Sequence, residues 1–93
     1  MSLSARTRVV ASNQQVSAPV DDGLALLDLH TNTYFALDAV GATVWAQLGS
    51  PATVEAIVAA VTATYEVDGP TATADVTALL EELIAAGLAQ VAP

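Results

Sequence analysis

Cysteine and lysine are both missing from this 93-residue chain, and each absence closes off a class of chemistry. Without cysteine there is no disulfide framework and no thiolate metal site, and the single histidine, His30, cannot assemble a His-rich metal centre. The fold therefore stands on packing alone, with no metal and no cofactor expected. Without lysine, and with Arg6 and Arg8 as the only other cationic side chains, a net charge of -8 leaves nucleic acid and anionic membrane surfaces as poor partners. Long apolar runs are missing too. The longest, Ala56 to Val61, falls far short of the roughly 20 residues that cross a bilayer, and no apolar signal segment opens the chain. A soluble cytoplasmic protein is expected. No glycine-rich phosphate loop follows a strand, which removes nucleotide binding.

What the chain has is apolar content and pattern. A hydrophobic fraction of 54% suffices for one core in a domain of this length. The acidic surface keeps an alanine-rich domain in solution and leaves a secondary bias toward basic partners. Residues 1–15, with SARTR and SNQQ, read as a flexible or partly strand-forming segment in which Val9 and Val10 are the strong strand formers. A single domain is expected over 16–93. A first strand is expected in that segment or around Val16 to Val20. Asp21, Asp22 and Gly23 mark a turn, and Leu24 to Leu29 alternates as a strand. His30 to Thr33 supply turn chemistry, with Asn32 suited to positive φ, before a second run from Tyr34 to Leu37.

At Asp38 the apolar period changes from two to about 3.6. Asp38 fits a helix N-cap, and Val40, Val44 and Leu48 recur every fourth residue until Gly49, Ser50 and Pro51 end the first helix. A second helix begins near Thr53 and places Val54, Ile57, Val58, Val61 and Tyr65 on one stripe, with Glu55 in its first turn. Asp68, Gly69 and Pro70 break the chain and open a third helix carrying Val76, Leu79, Leu80, Leu83 and Ile84. Gly87 suits its C-cap, after which Leu88 and Val91 return to the core. These elements predict an α+β, winged-helix-like domain: an N-terminal antiparallel sheet of two or three strands followed by three helices.

Catalytic candidates are few. Glu81 and Glu82 are adjacent and diverge on a helix, so they form no matched acid–base pair, and His30 sits in a turn with no nucleophile signature near it. An enzyme is not expected.

Three segments, GLALLDLHTNTYFALDAVGATVWAQL, TVEAIVAAVTATYEVD and ADVTALLEELIAAGL, stand in an order and spacing that resembles the PqqD-like family, also called RiPP recognition elements. The resemblance runs from about Gly23 to Leu88 and looks like the discrete forms that accompany lasso-peptide proteases. It departs from the family pattern in the hairpin turn, where His30, Asn32 and Thr33 stand in place of the family's Arg and Gly. Asp38 replaces a common Asn and keeps the capping function. The resemblance implies a non-catalytic binding module that captures the leader segment of a ribosomal precursor peptide by strand addition and presents it to a separate modifying enzyme or leader peptidase. A winged-helix DNA-binding regulator and a small stabilising subunit of an enzyme complex are the alternatives.

The implied groove lies between the strand Thr33 to Leu37 and the third helix. That strand has no proline or lysine to blunt its edge, which suits β-augmentation. Thr33, Tyr34, Phe35, Ala36 and Leu37 are the candidate contacts on the strand. On the helix, the row Val76, Leu80 and Ile84, flanked by Thr73, Thr77 and Glu81, is the candidate wall. Tyr34 and Ala36 share one strand face, Phe35 and Leu37 the other, and the pattern leaves open which is buried. Asp75 and Glu81 are candidates to pair with a basic residue of the leader.

Overall fold

The computed structural model describes residues 3–13 and 15–93; Met1, Ser2 and Gln14, which fall in the first expected segment, lie outside the described residues. Ten elements follow one another: β1 (Arg8–Ala11), β2 (Gln15–Val20), β3 (Gly23–Asp28), β4 (Thr33–Leu37), α1 (Ala39–Ala46), a 3-10 turn (Gln47–Gly49), β5 (Ala52–Thr53), α2 (Val54–Thr64), α3 (Gly69–Ala85) and β6 (Ala89–Ala92). The strands make two antiparallel three-stranded sheets, ordered β2-β3-β4 and β5-β1-β6. The first is the N-terminal sheet expected from the sequence. The second assembles strands from the two ends and the middle of the chain, pairings with no local signature.

The β2-β3-β4 sheet is a meander whose turns are set by side chains that tolerate positive φ: Asp21 at 54° and Asn32 at 57°. Asp28 adds a second constraint. Its carboxylate accepts the backbone N–H of His30 (2.9 Å) and of Thr31 (3.3 Å), folding the β3–β4 turn onto the end of β3. Register places Leu26 opposite Phe35 and Leu24 opposite Leu37, so these residues share the inner face. Tyr34 and Ala36 point outward. Gly23 is required where β3 passes the end of β4, because a Cβ there would lie 2.1 Å from the carbonyl oxygen of Leu37.

Each helix begins on a side chain that answers its unpaired N–H groups. Asp38 accepts from Gly41 (2.8 Å), Thr53 from Ala56 (3.2 Å) and Asp68 from Thr71 (3.2 Å). The remaining donors of α2 are met from outside the helix. Val54 and Glu55 donate to the carbonyls of Thr7 and Ala5, both at 3.0 Å, which ties the segment ahead of β1 to α2. At the far end of α3, Gly87 (φ 80°) donates to Ile84 and Leu88 donates to Leu83, a Schellman closure that turns the chain into β6.

One core joins both sheets and all three helices. Val9, Leu26, Val44, Leu48, Ile57, Leu80, Leu83 and Leu88 are fully buried. Each such side chain contributes about 2 kcal/mol of hydrophobic stabilisation. Leu88 and Ala89 return to this core, whereas Val91, expected there, remains exposed on the outer side of β6.

Candidate functional site

The β2-β3-β4 sheet ends at β4, and among the described residues no segment pairs with the outer side of that strand. β1 does not cover it, pairing instead with β5 and β6. Beside the open edge runs a groove of about 640 Å³. Its walls come from four places. β4 supplies Phe35, Ala36 and Leu37; α1 and its cap supply Asp38, Val40, Gly41 and Val44; the end of α2 and the turn beyond supply Val61, Tyr65, Glu66 and Val67; α3 supplies Ala72, Asp75, Val76, Leu79 and Glu82. An unpaired backbone ladder thus borders an apolar floor.

Tyr65 holds one end of this groove in place. Its hydroxyl donates to the carbonyl of Ala39 (3.0 Å) and is 2.9 Å from the hydroxyl of Thr43, so the exit of α2 is fastened to the first turn of α1. Asp38, the cap of α1, and Glu66, just beyond Tyr65, both line the groove. Asp75 and Glu82 line the α3 side, and no Arg, Lys or His lines the groove.

The structure brings four of the eleven candidate residues to the groove: Phe35, Ala36, Leu37 and Val76. Phe35 is half-buried and Leu37 is buried on the inner face of β4. Tyr34 is 65% exposed on the outer face, and Thr33 starts the strand with its hydroxyl bonded to that of Thr31. Leu80 is fully buried in the core and does not line the groove. Thr73 and Thr77 border a separate hollow of about 170 Å³ with Leu3, Val54 and Val58. Glu81 is exposed and Ile84 half-buried, and neither lines either depression.

The lining of α3 shares Val76 with the row chosen on sequence and extends to the adjoining row through Asp75 and Leu79, one residue or about 100° around the helix from Val76 and Leu80. Both rows carry apolar residues at helical spacing, and only packing against α2 and β6 decides which faces the core and which the groove. Leu79 and Tyr65 were legible as apolar positions of helical stripes but not as groove residues. Nothing in the sequence marked Val67 or Glu66.

Two carboxylates outside the groove support its frame. His30 and Thr31 hydrogen-bond the Asp28 carboxylate and hold its pKa below the usual value, the backbone bond from His30 contributing most. The side-chain and backbone bonds from Thr71 do the same for Asp68. Among the described residues no group of acidic or histidine side chains is placed to hold a metal ion, and no helix is long and apolar enough to cross a membrane.

Residues 23–89, which include the whole groove, match the family described as coenzyme PQQ synthesis protein D (PqqD). This chain belongs to the PqqD family. Two solved structures share its fold at usable identity. One is TbiB1 in complex with the TbiA(beta) leader peptide, 42% identical over 87% of this chain and 94% of that one, with a TM-score of 0.79. The other is a lasso peptide synthetase B1 complexed with its leader peptide, 26% identical over 88% of this chain and 96% of that one, with a TM-score of 0.76. No curated protein sequence is a significant match. The resemblance read from the three segments is thus met by the family match, and the α+β winged-helix-like fold by the two PqqD-like structures.

Proposed function

We propose that this PqqD-family chain is a non-catalytic adaptor of lasso-peptide type, which captures the leader segment of a ribosomal precursor in the cytoplasm and presents it to a separate modifying enzyme or leader peptidase. The observation that carries the reading is the vacant edge of β4 beside the groove. An extended peptide added to that edge gains main-chain hydrogen bonds that fix register, while alternate side chains drop toward Phe35, Val76 and Leu79. Both structural relatives hold leader peptides, which supports the same reading for this chain. Chemistry then belongs to the enzyme served. Capture of the leader raises the local concentration of the precursor's processing site at that enzyme. DNA binding draws no support from a chain with no lysine and a net charge of -8.

Calorimetric titration of the full chain with the TbiA(beta) leader, and with the leader encoded beside its own gene, tests the proposal. Saturable one-to-one binding is expected, together with slowed amide hydrogen exchange at Tyr34 to Leu37 as the ladder is filled. Absence of binding by both peptides, or protection confined to another strand, overturns it.

A further inference from the structure

The groove is apolar on its floor and acidic along its rim, and the carboxylates have no cation of this chain among the lining residues. Asp38, whose carboxylate also caps α1 by accepting the Gly41 N–H, and Glu66, just beyond Tyr65, line the groove from the α1 and α2 sides. Asp75 and Glu82 stand seven residues apart on one face of α3, a rise of about 10.5 Å. One ammonium or guanidinium group therefore cannot serve both ends of this fence. Four exposed carboxylates around a concave apolar surface focus a negative potential on any chain lying in it.

From this we infer that the groove selects cationic extended peptides: a strand-forming segment with alternating apolar residues and at least two Lys or Arg residues spaced to reach separate carboxylates of the rim. The inference rests on the leader-capture reading and names the chemical class of the leader that this site takes. An acidic or neutral segment with the same apolar residues fills the floor but leaves the rim unanswered. Discrimination then comes from the rim, and affinity for the floor is shared by all comers. Because the rim carboxylates are solvated, each cation contact is modest, two- to fivefold in affinity, and is weakened by salt.

The test uses fluorescence anisotropy with the TbiA(beta) leader and two forms of it in which the same two polar positions, flanking the strand-forming stretch, carry Lys in one and Glu in the other. At 50 mM salt the Lys form is expected to bind about tenfold more tightly than the Glu form, with the gap closing toward 500 mM. Glu66→Gln and Asp75→Asn, combined with Glu82→Gln, narrow the gap to less than threefold. Glu55→Gln and Asp22→Asn, which remove the same kind of charge away from the groove, leave it in place and so separate the rim from the net charge. Equal binding of the Lys and Glu forms, or a gap that the rim variants do not narrow, overturns the cationic selection and leaves leader capture standing. Failure of every form to bind at any salt overturns leader capture, and the inference with it.

Discussion

Among the described residues the β2-β3-β4 sheet has two open edges, and only one of them has the makings of a site. β2 carries Pro19 and presents five exposed residues in succession, Val16 and Val20 among them at 50% and 49% exposure, with no helix beside it. β4 is equally unpaired on its outer side, yet it borders a groove walled by α1, α3 and the exit of α2. Main-chain donors and acceptors are available at both. What β4 adds is a second wall, so that an incoming strand buries its side chains as well as pairing its backbone. A ladder without a wall offers register but little hydrophobic gain.

The largest disruption of this contrast strikes both edges at once. Gly23→Val places a Cβ against the backbone of Leu37 and is expected to cost about 3 kcal/mol or more, read as a lowered urea midpoint with loss of leader binding. Next comes the wall alone. Leu79→Ala is expected to weaken leader affinity about tenfold, roughly 1.4 kcal/mol, while the folded population at 25 °C is unchanged, as measured by titration and by circular dichroism. A variant that binds as well as the parent would remove α3 from the site.

Acid acts more gently and through the frame. The pKa values of Asp28 and Asp68 are lowered in the folded chain, so their contribution is fully present above the unfolded value near 3.9 and is lost as pH falls through the lower folded values. Urea midpoints for the parent should therefore drop more steeply below about pH 4 than those of Asp28→Asn, with no such divergence between pH 6 and 8. Equal slopes would mean that the bonds from His30 and Thr31 do not hold the β3–β4 turn. The smallest effect is reserved for the bare edge: Val16→Ser and Val20→Ser should change stability by less than about 0.5 kcal/mol and leader affinity by less than twofold.

Local chemistry made much of this molecule legible. Asp38 caps the helix assigned to it, the second helix begins at Thr53 and the third follows the break at Asp68, Asn32 takes the positive φ, and Gly87 closes α3. These features depend on a few neighbouring residues. The β5-β1-β6 sheet depends on pairing Arg8 with Thr53 and Ala92, across most of the chain, and its two-residue β5 has no periodicity to read. The lining of the groove fails for a related reason. Val76 and Leu80 look alike as sequence, yet the first floors the groove and the second vanishes into the core, a difference made by the rotation of α3 against its neighbours. Of the two aromatics named on β4, Phe35 lies opposite Leu26 on the inner face and Tyr34 faces outward, a choice that the strand's alternation left open.

Arg8 pairs with Ala92 in the β1–β6 ladder, and its guanidinium donates to the carbonyl of Pro93. None of β1, β5 or β6 contributes to the groove. β1 and β6 are thus neighbours in a sheet that supplies none of the groove's lining, so a load carried on either strand is expected to leave the docking trench open to visitors.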